Sequence, residues 1–272
     1  MRAARKRIKL AVLLSGSGTN LQAMVDGIEA GKLDATIALV LSNNPDAYGL
    51  TRAREHGIPT AVVDYREYSK KRLPEIPDTV PSRKIQEVLE RQRIYSGLHP
   101  EELRDRLARL LLAEQELIAL LDPVAPDLIC LAGFMRLLSP FFISHYNQGL
   151  EYRIMNIHPA LLPAFPGSRG YEETFGYGCR FGGITVHFVD EGEDTGPIVA
   201  QAVYPIWPED TLEAVRDRGL QLEYVLYSQC IQWVARGDLQ MESSGDGRTR
   251  VRILDPGYPR FIEDLLRQAF GM

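Results

Sequence analysis

The sequence predicts an α/β protein whose doubly wound, mostly parallel sheet carries a helical insertion and a small C-terminal addition. Two observations predict it. Short apolar runs at residues 9–14, 36–41, 60–63 and 127–132 alternate with stretches in which apolar residues recur at helical spacing. Strands that alternate with helices form a parallel sheet through right-handed crossovers. In addition, Asp127-Leu-Ile-Cys-Leu-Ala132 is an almost unbroken apolar run, as a central strand covered on both faces requires.

The first run breaks into Ser15-Gly16-Ser17-Gly18-Thr19-Asn20, after which Leu21, Met24, Val25 and Ile28 fall at helical spacing. This is a strand, a glycine-rich turn and a helix start. Glycines let backbone approach a ligand, and the unpaired N–H groups of a first helical turn favour an anion. Gly18, Thr19 and Asn20 therefore read as a phosphate cradle, although any doubly wound protein needs a small-residue turn here. The turn has neither the P-loop ending nor the dinucleotide pattern. Ser42-Asn-Asn-Pro-Asp46 reads as a turn capping a helix that runs to about His56, and Gly57-Ile-Pro59 delivers the third strand.

Residues 64–110 are too long for a connection and too helical for a linker. They hold Pro74, Pro77 and Pro81, then charged, helix-forming stretches at 82–94 and from Pro100 onward. The expectation is a surface appendage or an oligomer contact, with a homodimer as the corresponding assembly. The strand at 127–132 leads into Gly133-Phe-Met-Arg-Leu-Leu-Ser139-Pro140, where Ser139 suits an N-cap and Pro140 the first helical position.

The segment from Arg153 holds Asn156-Ile-His158-Pro159. In an extended run, residues two apart share a side, so Asn156 and His158 would present an amide and an imidazole to one space. An imidazole moves protons near neutral pH, an amide N–H donates to a developing oxyanion, and a carboxylate can orient the imidazole and hold its charge. Asp194, after a second apolar strand, is the candidate carboxylate. By itself Asn-x-His before proline reads equally as turn capping and a satisfied histidine. Residues 183–189 and 199–206 read as neighbouring strands, with His187 in a structural hydrogen-bonding role near the site. An amphipathic helix is expected from Glu209-Asp210-Thr211 to about Ala235, followed by a strand at 248–254 that extends the sheet or makes an oligomer contact, and a helix at 259–270. The organisation expected is one domain over residues 1–240, interrupted at about 65–110, with residues 241–272 packed on it as an extension.

Charge is mixed, with a net −5, which gives no concentrated basic face for nucleic acid. The basic opening from Arg2 to Lys9 reads as a frayed terminus. Cys130, Cys179 and Cys230 are few and widely spaced, which suits reduced thiols in the cytoplasm, and no Cys/His cluster has metal-ligand spacing. Neither a signal peptide nor an apolar run of membrane-spanning length is present, so no membrane partner is expected.

Asn156-Ile-His158-Pro-Ala-Leu-Leu162-Pro163, then Val186-His-Phe-Val189 and Asp194-Thr-Gly-Pro197, resemble the catalytic core of the 10-formyltetrahydrofolate-dependent formyltransferases. The resemblance covers residues 9–63 and 125–237, and it implies that Asn156, His158 and Asp194 form the active site. Leu14-Ser-Gly-Ser-Gly-Thr-Asn-Leu21 and Leu41-Ser-Asn-Asn44 also look like the branch of the family that formylates phosphoribosylglycinamide. By the same resemblance Met135, Arg136, Leu137 and Leu138 belong to the folate-binding loop, whose backbone reads the pterin edge. Asn156 also touches the folate, and Glu223 helps bind the glycinamide, where spacing alone would make it ordinary surface charge. The family carries a much shorter link where residues 64–110 stand, with an arginine that helps hold the folate; Arg106 and Arg109 are the candidates. It also usually offers a histidine where Arg169 stands.

The implied reaction is direct transfer of a formyl group from 10-formyltetrahydrofolate to the amine, without an acyl-enzyme or a metal. Asn156 and a protonated His158 stabilise the oxyanion, and Asp194 raises the histidine pKa. Within the superfamily a formyltetrahydrofolate hydrolase would use the same triad, with a regulatory domain expected before the catalytic one. A tRNA formyltransferase would need a basic C-terminal domain. From another class, a nucleotide- or folate-binding module without chemistry fits the glycine turn but leaves the triad unexplained.

Overall fold

The structure, a computed structural model, describes residues 7–70, 82–245 and 247–272. The first half holds β1 (Ile8–Leu14), α1 (Thr19–Glu29), β2 (Ala35–Ser42), α2 (Tyr48–Glu55), β3 (Thr60–Val62) and the short α3 (Tyr65–Ser69). Next come α4 (Ser82–Arg91), α5 (Pro100–Leu121), β4 (Leu128–Leu131), α6 (Pro140–Tyr146), β5 (Ile154–His158) and α7 (Gly170–Tyr177). The chain ends with β6 (Phe181–Phe188), β7 (Ile198–Pro205), α8 (Leu212–Arg236), β8 (Leu239–Ser243), β9 (Thr249–Ile253) and α9 (Tyr258–Phe270). Pro74, Pro77, Pro81 and most of the basic N-terminus lie outside the described residues.

Among the described residues one sheet has seven strands in the order β3-β2-β1-β4-β5-β6-β7. The strands from β3 to β5 run parallel, and β6 and β7 are antiparallel to their neighbours. The order reverses between β1 and β4, and in open α/β sheets a ligand crevice forms at the carboxyl ends of strands at such a switch point.

Alternation along β1 sorts its side chains between two cores. Leu10, Val12 and Leu14 join Leu21 and Met24 of α1 and Leu222 and Leu226 of α8. Ala11 and Leu13 face the other way, with Leu107 and Leu111 of α5 and Phe142 of α6. Each fully buried leucine contributes on the order of 2 kcal/mol of apolar transfer energy. Buried Tyr227 of α8 donates its hydroxyl to the carbonyls of Leu131 and Met155, at 3.1 and 2.9 Å, fixing that helix over the β4–β5 pair.

Several local expectations change. Ala47, without a side-chain cap, precedes α2; the polar residues before it bond among themselves, with Asn44 Oδ1 accepting from the Asp46 amide at 3.1 Å. Ser139 does cap α6, accepting from the Phe141 amide at 3.2 Å. The strand near the C-terminus does not extend the main sheet. It pairs with β8 in a separate two-stranded hairpin. Beyond the hairpin, Trp233 Nε1 donates to Asp255 Oδ2 at 2.8 Å, and Trp233 packs edge-on against Tyr258 and Phe261 of α9.

Candidate active site

β1 ends at the glycine turn, and Gly18 takes φ 71°, a left-handed conformation that glycine adopts without strain. A Cβ at Gly18 would also lie 2.5 Å from the Gly49 Cα, so the close approach of this turn to α2 admits no side chain. Helix α1 begins at Thr19 with no side-chain cap, so its first amides remain available to an anion. Asn20 is buried, and its amide donates to Glu223 Oε2 at 2.7 Å. The Tyr171 hydroxyl donates to the other Glu223 oxygen. Burial pushes the Glu223 carboxyl above its ordinary range despite these two donors. Glu223 is thus no surface charge; it ties α8 to the predicted phosphate turn.

Ser15 connects this turn to the loop after β4. Its hydroxyl donates to Asn43 and accepts from the Met135 amide, the latter at 2.7 Å, while its own amide donates to the Gly133 carbonyl at 3.0 Å. Met135 and Arg136 are exposed, and the Arg136 guanidinium lies 5.3 Å from the centre of the Tyr65 ring. Leu138 is buried in the core, and Ser139 follows it. The Ser139 amide and hydroxyl both donate to Glu114, the amide at 2.6 Å. Burial raises the fully enclosed Glu114 carboxyl to about 8, against the pull of these Ser139 donors.

Next to this loop a cavity of about 330 Å³ is lined by residues 133–138, Ile143, Asn156, His158, His187, Val189 and Asp194. Its walls are apolar around Leu138, Ile143 and Val189 and polar at the ends of β5 and β6. Ile94, from the insertion, also lines it, so the insertion is more than a surface appendage. Neither Arg106 nor Arg109 is among the lining residues. Arg106 pairs with Glu102 at 3.1 Å and Arg109 with Asp105 at 2.5 Å, while Arg136 reaches the cavity. Arg169 lies 3.5 Å from Glu173 at the start of α7, exposed and not itself among the lining residues, although its neighbour Ser168 is.

Asn156, His158 and Asp194 meet in this cavity. His158 Nδ1 is 3.4 Å from Asp194 Oδ2, and His158 Nε2 is 2.8 Å from the Phe165 carbonyl. His187 joins them more closely than expected. It stands opposite Asn156 across the β5–β6 pair, beside a register shift that re-aims it. Its Nε2 is 3.3 Å from the Asn156 amide nitrogen and 3.5 Å from Asp194 Oδ1, and its Nδ1 donates to its neighbour's carbonyl, that of Phe188, at 2.9 Å. The sequence placed His187 on a strand near the site, but the antiparallel pairing that sets it opposite Asn156 is seen only in the fold.

Asp194 has φ 54°, a left-handed conformation costing a non-glycine residue about 1–2 kcal/mol. The surrounding turn holds it there. Asp190 Oδ1 accepts from the Gly192 amide at 3.1 Å and the Thr195 hydroxyl at 2.6 Å. At Gly196 a Cβ would sit 1.9 Å from the Phe188 carbonyl oxygen, so the turn closes only with glycine. Asp194 Oδ2 accepts the Gly167 amide at 2.8 Å. Burial works to raise the Asp194 carboxyl, but His187, His158 and that amide together hold it below the usual carboxylate range.

For His158 the balance falls the other way from expectation. Burial lowers its pKa, and the opposing pull of Asp194 is smaller, so the ring is neutral near pH 7. The 2.8 Å contact requires Nε2–H to donate to the Phe165 carbonyl; Nδ1–H donating to Asp194, with a free lone pair on Nε2, becomes available once that carbonyl moves away. Such an imidazole can take up a proton and then be held as a cation by Asp194.

Residues 8–231 match the family described as formyl transferase, and the chain belongs to that family. It is 34% identical over 251 residues to the phosphoribosylglycinamide formyltransferase of Escherichia coli, covering 92% of this chain and 98% of that one. It is likewise 34% identical over 239 residues to the trifunctional purine biosynthetic protein adenosine-3 of Gallus gallus, covering 88% of this chain and 20% of that protein. The crystal structure of glycinamide ribonucleotide transformylase 1 from Symbiobacterium toebii superposes with a TM-score of 0.70 at 37% identity, over 92% of this chain and 95% of that one.

Proposed function

We propose that this chain transfers the formyl group of 10-formyltetrahydrofolate to the amine of phosphoribosylglycinamide, a step of purine synthesis. The observation that carries the reading is the meeting of Asn156, His158 and Asp194 in a cleft that Ser15 joins to the glycine turn. The first amides of α1 hold the phosphate, and the cleft beside residues 135–138 takes the pterin ring. Binding at these two ends places the amine against the formyl carbon.

The amine nitrogen attacks the formyl carbon, the carbonyl π electrons pass to oxygen, and the Asn156 amide N–H donates to the resulting oxyanion. Neutral His158 takes the proton released by the amine. The imidazolium is stabilised by Asp194 and gives its proton to the departing folate nitrogen as the carbon–nitrogen bond breaks. For Nε2 to carry this proton, the Phe165 carbonyl must yield its place to substrate. His187 Nε2, 3.3 Å from the Asn156 amide nitrogen and 3.5 Å from Asp194 Oδ1, stands between the two and keeps them in position.

The test is a formyl-transfer assay with both substrates, accompanied by thermal stabilisation with each ligand alone. Formylated amine and stabilisation by both ligands support the reading. Stabilisation by folate alone, with formate as product, points to a hydrolase.

A further inference from the structure

We propose that the insertion between β3 and β4 is a working part of the co-substrate site: Arg91 latches the turn that carries Asp194, and Ile94 forms a wall of the folate cleft. The proposal rests on the formyl-transfer reading and adds to it a positioning residue and a specificity-determining residue.

Helix α4 is planted firmly enough to serve as an anchor. Its Ile85 and Val88 are buried in the core that α5 and α6 share. The last residue of the helix, Arg91, is half-exposed and directs its guanidinium at the carboxylate of Glu191. Nε lies 3.3 Å from one oxygen and Nη2 contacts the other. A two-point fork of this kind fixes orientation as well as distance. Glu191 belongs to the same tight turn as Asp194, and Asp194 keeps its left-handed backbone only while that turn is held. The ion pair braces the turn from outside, where the Asp190 contacts brace it from within.

The chain leaving α4 is folded back in a defined way. Gln92 closes it from both sides, its Oε1 accepting from the Tyr95 amide at 2.9 Å and its Nε2 donating to the Tyr95 carbonyl at 3.2 Å. The Arg106 guanidinium of α5 covers the Tyr95 ring at 5.9 Å. Ile94 sits within this closure and lines the cleft with Leu138, Ile143 and Val189. An apolar side chain there suits the ring of a pterin.

The experiment measures kcat and the KM of each substrate for wild type, R91E, E191R, the R91E/E191R double variant and I94A, with melting temperatures as a folding control. R91E and E191R are each expected to lower kcat about fivefold, as loss of a partly exposed ion pair allows. The KM for the phosphorylated amine should stay unchanged, and the double variant should recover the rate. I94A is expected to raise the KM for 10-formyltetrahydrofolate about tenfold, the scale of an apolar pocket contact, again sparing the amine. Wild-type kinetics in R91E and I94A, or no recovery in the double variant, overturn the proposal and leave the insertion a structural appendage. Absence of formyl transfer by the wild-type protein would overturn the underlying reading instead.

Discussion

Replacing Asp194 with asparagine separates charge from shape at the candidate site. The amide oxygen can still accept the Gly167 N–H, which now lies 2.8 Å from the carboxylate, so the loop over the cleft keeps its anchor. What disappears is a charge 3.4 Å from His158 Nδ1. At an effective dielectric constant of about 20, two unit charges at that separation attract by roughly 5 kcal/mol. The neutral ring of the free site does not feel that attraction; the imidazolium formed during transfer does. The asparagine dipole restores part of it, so the expected loss is roughly 3–4 kcal/mol, or about 10²- to 10³-fold in kcat. Steady-state formyl transfer would measure it, with both KM values changing far less than kcat. A D194N enzyme turning over at the wild-type rate, or one whose loss lay wholly in KM, would refute the assignment.

Other expectations follow from the same geometry. The proposed mechanism calls for neutral His158, whose pKa burial holds below the ordinary histidine value of about 6.5. The pH profile of kcat/KM should therefore rise through an acid limb below that value and flatten above it. Because Asp194 opposes the downward shift, D194N should move the limb to still lower pH. Gly18→Ala places a Cβ against Gly49 and strains a left-handed turn, so it should raise the KM for the phosphorylated amine while sparing the folate. Glu114 has a folded-state pKa of about 8, raised above its unfolded value. Its contribution to stability is therefore complete at pH values below the ordinary carboxyl pKa and is lost as pH rises through about 8. Melting curves of wild type across that range should show the loss; E114Q, which cannot ionise, should lack this component.

Strand–helix alternation was legible because each face of the main sheet is covered and each strand therefore carries an apolar signal, as in β1 and β4. β8 was not legible: its alternation is short and only half-buried, and it continues directly from the long helix α8. Asn156, His158 and Asp194 were readable from local spacing and resemblance, and the chain does bring them together. The wider polar framework was not. Asn20 and Glu223 were each named, but they are 203 residues apart, so their bond to one another was not readable, and nothing local in an amphipathic helix marks one of its glutamates as buried. Glu114 escaped notice for the same reason. The depressed histidine pKa was also hidden, since an acid nearby argues for a charged ring, whereas the enclosure that outweighs it exists only once the sheet and loops have closed.

Ser15, at the start of the glycine turn, gives its one hydroxyl hydrogen to Asn43 in the turn after β2 and its lone pair to the Met135 amide in the loop after β4. A donor that is also an acceptor transmits polarisation, so the two compartments have a common electrical and mechanical hinge. Filling either should alter affinity for the other, and thermodynamic reciprocity makes the two effects equal. The size of that mutual effect then becomes a property that a single oxygen atom helps to set.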